Sequence, residues 1–110
     1  PEGAARHLAR WRRDHPSAPE QIVDTWLAEL GHAAEREVSC FGLYLDRVVG
    51  STVIEVDGDR LHGDHAPNAA MRAKNDRRKE ALCFALGLTL IRLPERAIRD
   101  GSARSLLESL

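Results

Sequence analysis

Asp46, Glu55 and Asp57 fall in two strand-like runs, LYLDRVV and TVIEVD, separated by Gly50 and Ser51. A Gly-Ser pair suits a two-residue hairpin turn of the II′ kind. If Val49 pairs with Thr52, counting outward places Asp46 directly opposite Glu55. Side chains alternate along a strand, so Asp57 shares the face of Glu55, roughly 6–7 Å further on. Like charges facing each other destabilise a sheet, and a divalent cation offsets that cost. Mg2+ is typically held by one or two carboxylates while it keeps waters and substrate phosphate oxygens. The expected cofactor is therefore Mg2+, or Mn2+ in its place, on Asp46, Glu55 and Asp57. Two other readings stay open. The register could be displaced by one residue, leaving the acids solvated, or Asp57-Gly58 could be a type I′ turn, although DRLHGDH makes a poor returning strand.

His62 follows Asp57 by five residues, close enough for the loop to return it over the acids. A neutral imidazole beside a metal-bound water is a suitable general base, because its unperturbed pKa lies near 6.5. A loop histidine is also ordinary polar surface. His62, Asp64 and His65 match no standard zinc spacing, and Leu61 stands where a calcium loop starting at Asp57 needs a ligand.

The elements that must carry these residues are readable from periodicity. At 110 residues, with 43% hydrophobic and 30% charged, the chain is expected to form one globular domain. The absence of a long apolar run and of a leader pattern makes a cytosolic protein the default. The first residue is Pro1, which suggests processing or a longer parent chain. Cys40 and Cys83 are far apart in sequence and outside any CxxC spacing, so neither structural zinc nor a disulfide is expected.

Residues 3–14 read as a basic helix, ended by HPSAP within an N-terminal segment 1–16; residues 17–110 then form the main body. Ser17 and Glu20 form a capping box for a second helix, with Ile22, Val23, Trp26, Leu27 and Leu30 on its apolar face and Gly31 as its C-terminal cap. Strand periodicity runs from Glu37 to about Asp57. Asn68 can cap a long helix through Leu86, with Met71, Ala81, Leu82, Ala85 and Leu86 inward and Gly87 ending it. Leu88–Leu93 reads as a strand buried on both faces. Pro94 opens one or two short helices interrupted at Gly101. A strand, a long helix and another apolar strand in succession predict an α/β fold with a mixed sheet flanked by helices.

The net charge of −1 advertises no polyanion partner, but the basic residues are unevenly placed. Of sixteen Lys and Arg, four lie in RHLARWRR and five in MRAKNDRRK. Such faces can grip phosphate backbones; equally, they can be solvated helix surface. Arg10, Arg13, Lys74, Arg78 and Lys79 are the candidate nucleic-acid contacts.

VIEVDGDRLH followed by NDRRKEALCFALGLTLIRL resembles the core of the very-short-patch-repair endonucleases and related short domains of the PD-(D/E)XK superfamily. The matching positions are Asp46, Glu55, Asp57, Gly58, His62, Asp76 with Arg77 and Arg78, Gly87 and Arg92. Glu20 stands at the upstream helical acid, and the resemblance covers roughly residues 17–100. It implies a restriction-endonuclease-like αβββαβ core and Mg2+-dependent hydrolysis of DNA. Asp46 would be the principal metal ligand with Glu55 or Asp57 beside it, and His62 the base or phosphate partner. Asp76 would orient His62, and Glu20 would hold a metal-bound water. The usual motif lysine is replaced by Asp57, which leaves Lys74, Arg78 or Lys79 to supply the charge. Mismatch recognition is not implied, because the structural zinc and abundant aromatics that accompany it are missing. A degenerate domain of the same fold that merely binds nucleic acid or a protein is the alternative. A lone site makes one cut, so double-strand cleavage would need a homodimer or two successive events; fusion to other domains in a longer chain is the other expected partnership.

Overall fold

The computed structural model describes residue 8 and residues 10–58 and 69–110. A short helix α1 includes residues 10–14. It is followed by α2 (Ala18–Glu29), β1 (Glu35–Cys40), β2 (Leu43–Val49), β3 (Thr52–Asp57), α3 (Ala69–Leu86), β4 (Thr89–Pro94), α4 (Glu95–Arg99) and α5 (Arg104–Glu108). The strands form one mixed sheet in the order β1-β2-β3-β4. Its first two pairings are antiparallel and its third is parallel. The expected αβββαβ architecture is the observed one.

Local chemistry explains most boundaries. At the start of α2, Ser17 Oγ accepts the Glu20 amide at 3.4 Å, and Glu20 Oε2 accepts the Ser17 amide at 2.6 Å. The helix ends at Gly31, whose φ of 80° lets His32 N–H reach the Leu27 carbonyl at 2.9 Å. This C-terminal motif needs a left-handed residue, which glycine supplies without a Cβ clash. Gly50 likewise takes φ 58° in the β2–β3 turn, and the ladder begins at Val49↔Thr52 as expected. The β1–β2 hairpin turns at Phe41 and Gly42, with φ 48° and 81°.

Helices α2, α4 and α5 share the main core with the sheet. Val23, Leu27, Ile54, Leu93, Ile98, Ala103 and Leu107 are buried together there; removing a buried aliphatic such as Leu27 should cost about 2–5 kcal/mol. A smaller cluster of Leu45, Val53 and Cys83 joins α3 to the sheet.

One expectation about this side is corrected. Met71 is 63% exposed and Leu86 45% exposed, and Ala81 and Ala85 are exposed as well, leaving Leu82 half-buried and Cys83 buried. Arg72, Asn75, Asp76 and Lys79 are also half-buried, and with Leu82 and Cys83 they recur at helical spacing. The covered stripe of α3 is polar over its first turns because its partners are ionic groups of the sheet. In β4, Leu93 is buried while Leu90, Ile91 and Arg92 are half-buried. Ile91 and Leu93 pack in the main core and Leu90 on the Leu45–Val53–Cys83 cluster, so both faces of the strand are covered, though incompletely; among the described residues it is an edge strand, paired with β3. The Asn68 cap lies outside the described residues. Among the described residues, no helix is long and apolar enough to cross a membrane.

Candidate active site

The hairpin registers place three acids in one row. The β1–β2 ladder pairs Arg36 with Arg47 and Val38 with Leu45, so Glu37 falls against Asp46. The β2–β3 ladder runs from Val49↔Thr52 to Arg47↔Ile54, so Asp46 comes next, against Glu55. Neither ladder includes this row. Glu37 takes φ 48°, a left-handed conformation that costs an ordinary residue about 1–2 kcal/mol. In this row carboxylates accept backbone amides. Glu55 Oε2 accepts the Asp46 amide at 2.7 Å, and Asp46 Oδ2 accepts the Val56 amide at 3.0 Å.

Glu55 is 3% exposed and is neutralised from above. Lys79 Nζ of α3 lies 2.5 Å from Glu55 Oε1. Of the three helix cations considered for the missing motif lysine, Lys79 is the one whose partner is a site acid. Among the described residues, Asp46 has no such ion pair of its own. Its pKa is pushed up to about 7, first by burial and then by the Glu55 charge, with Lys79 and the Val56 amide opposing and Glu37 adding to the rise. Glu37, 7% exposed, is also raised, chiefly by burial; Arg12 opposes this and Glu20 reinforces it.

Glu20 joins the group from α2. One of its oxygens closes the capping box, and its Oε1 lies 3.7 Å from Arg47 Nη1. Arg47 is fully buried. Its guanidinium donates to Asp24 through Nε at 2.6 Å and Nη2 at 3.1 Å, and to the Asp46 carbonyl at 2.8 Å. One cation thus fixes the N-terminal half of α2 against the strand carrying Asp46. Carboxylate oxygens of Glu20, Glu37 and Asp46 all lie within 4.8 Å of one another. Three hard oxygen donors at this spacing fit Mg2+ or Mn2+.

This trio differs in membership from the one read in the sequence. Asp46 is common to both, Glu55 adjoins through the Asp46 amide, and Glu37 was not anticipated. Counting back from the Phe41-Gly42 turn would have found it. Asp57 stands beside Arg92 at 3.9 Å, and Arg92 also meets Asp76 at 3.3 Å and Glu80 at 3.4 Å. Its Nη2 donates to the Asp76 carbonyl at 3.1 Å. Arg92 pairs in register with Glu55, so it binds α3 to the sheet within the site's own row. Arg10, Arg13, Lys74 and Arg78 are exposed, and Lys79 is half-buried. His62, Asp64 and His65 lie outside the described residues. Cys40 and Cys83 are free thiols.

No protein-family model matches the chain, and no curated protein matches it. Among solved structures, the chain is similar to the catalytic domain of the homing endonuclease I-Bth0305I. The TM-score is 0.67, at 17% sequence identity over 84% of this chain and 92% of that one. The likeness shows a shared fold, the mixed four-stranded sheet with flanking helices.

Proposed function

We propose that the chain is a divalent-cation-dependent endonuclease or nickase that hydrolyses a DNA phosphodiester. The observation that carries this reading is the meeting of oxygens of the half-buried Glu20 and Asp46 and the buried Glu37 within 4.8 Å of one another. It gains support from the adjacent Glu55–Lys79 pair and from a fold shared with an endonuclease catalytic domain. The order of motif residues further favours a relationship to the very-short-patch-repair-like enzymes.

Mg2+ or Mn2+, when bound, would supply positive charge to the phosphate oxygens and acidify a water. Asp46 would be the central ligand, with Glu37 and Glu20 completing the oxygen set and Glu55 beside them. Asp46 must lose its proton on loading, which ties cation affinity to pH. Lys79, held by Glu55, directs its charge to where negative charge develops on the phosphate. His62 is assigned as the group that takes the proton of the attacking water. Asp57 and Asp76 hold Arg92, and Arg92 holds the segment of α3 that carries Lys79.

Supercoiled plasmid incubated with Mg2+ or Mn2+ should become nicked circle, and EDTA should stop the reaction. Asp46→Ala and His62→Ala should each abolish nicking while leaving DNA affinity nearly unchanged. Wild-type protein that cuts with neither cation would refute the hydrolytic reading. Near wild-type rates in both variants would show that the site is elsewhere.

A further inference from the structure

Beside the acid cluster, and sharing Glu37 with it, lies a groove of about 570 Å³ lined by residues of α1, β1 and β2, among them Arg10, Arg13, Arg36, Ser39 and Tyr44. We infer that this groove holds a single, unpaired DNA strand next to the phosphate that is cut. The inference rests on the nuclease reading and adds where and how the strand is gripped.

Three features support it. The groove has a fixed wall: Arg36 Nη1 donates to the Arg13 carbonyl at 3.2 Å, and its Nη2 pairs with Asp24 at 3.2 Å. These contacts fasten α1 to β1 and α2. The charge also favours an anion. With Arg36 already paired to Asp24, Arg10 and Arg13 face Glu35 and Glu37, and a cation on the acid cluster would neutralise Glu37. Among the described residues, Arg10 and Arg13 have no carboxylate partner and are exposed, so their donors are available to phosphate. Finally, the volume suits a ligand of nucleotide dimensions. Tyr44 offers a ring for a base to stack on and Ser39 a hydroxyl, the combination by which cationic grooves hold single strands without reading sequence.

The test is fluorescence anisotropy with a short single-stranded oligonucleotide in EDTA, where no hydrolysis intervenes. Wild type should bind with an affinity that falls as salt rises. Arg10→Gln with Arg13→Gln should reduce the slope of log affinity against log salt by about 1.4, since each lost contact to a single strand removes about 0.7. Tyr44→Val keeps strand propensity and should weaken binding roughly five-fold or more without changing that slope. Arg99→Gln on α4 should change neither quantity. An unchanged slope in the double variant, or equal weakening by Arg99→Gln, overturns the groove assignment. So does duplex binding tenfold tighter than single-strand binding with the Tyr44 variant unaffected. If the groove variants behave as expected while wild type cuts plasmid with no cation, the groove stands and the hydrolytic reading falls. Plasmid nicking with unaltered KM and slope in the groove variants gives the opposite result.

Discussion

Asp46→Asn separates a metal-holding carboxylate from a structural one. Its Oδ2 accepts the Val56 amide at 3.0 Å, a bond that the asparagine oxygen can keep, while the charge facing Glu55 and Glu37 disappears. In the metal-free protein burial and Glu55 push Asp46 up to about 7, from an ordinary 3.8. Between those values the folded state holds more protons than the unfolded one, so stability falls as pH rises, by at most about 1.4 kcal/mol per pH unit. Above pH 7 the whole penalty is present; below pH 4 it is gone. The full shift would amount to about 4 kcal/mol, whereas opposed like charges in sheets cost about 1 kcal/mol. The expected gain for Asp46→Asn in EDTA at pH 8 is therefore about 1–3 kcal/mol, or roughly 4 °C in Tm per kcal/mol for a domain this size. At pH 4 the two proteins should melt together. Mg2+ at a hundredfold excess over its Kd should stabilise wild type by about 2.7 kcal/mol and leave the variant nearly unmoved. Thermal melts at two pH values, with chelator and with Mg2+, supply every comparison. A variant that melts below wild type in EDTA at pH 8, or gains equally from Mg2+, would show that Asp46 is a structural acid and refute the reasoning.

Lys79→Met should lower the nicking rate about 10²–10³-fold. Because it leaves Glu55 buried without its cation, it should also cost on the order of 3 kcal/mol in a urea melt. Arg47→Met leaves Glu20 without its cation and Asp24 with Arg36 alone, and should destabilise by about 3 kcal/mol; Arg47→Lys should recover little, since it cannot reproduce the two-pronged contact with Asp24, and chemical denaturation measures both. Gly50→Ala, at φ 58°, should cost about 1–2 kcal/mol without altering the cation concentration needed for half-maximal nicking. That concentration, in wild type, should rise up to tenfold for each pH unit below 7 as Asp46 takes up its proton, readable from Mg2+ titrations at pH 6 and 7.

The Gly50-Ser51 turn made the β2–β3 register legible, because a two-residue turn leaves little freedom in the pairing that follows. Asp46 beside Glu55 came directly from it. Glu37 was hidden for a physical reason: it lies in the charged run Glu35-Arg36-Glu37, where alternation carries no contrast, and its left-handed backbone is not encoded by a glycine or asparagine. The Phe41-Gly42 turn was similarly obscure, since phenylalanine rarely takes φ 48°. For α3 the rule that apolar residues face inward pointed to the wrong side, as the helix covers ionic groups and leaves Phe84 90% exposed. Lys79 was visible only as one of several cations, because its pairing with Glu55 spans 24 positions and no local pattern reports it.

The parallel pairing of β3 with β4 has a bearing on how the chain reaches this structure. Both hairpins close over two residues, whereas Thr52 must find Thr89 across a loop containing the whole of α3. Closing that loop costs chain entropy before any contact repays it, so the crossover is the slow step in assembly. The acids of β1, β2 and β3 are gathered early by local turns, while Lys79 and Arg92 arrive with the crossover. A chain halted before that step carries the repelling acids without their cations. Under the proposed function, the Lys79 charge offered to phosphate is in place only when this last long-range pairing forms, which makes recovery of nicking after dilution from denaturant a later clock than recovery of hairpin structure.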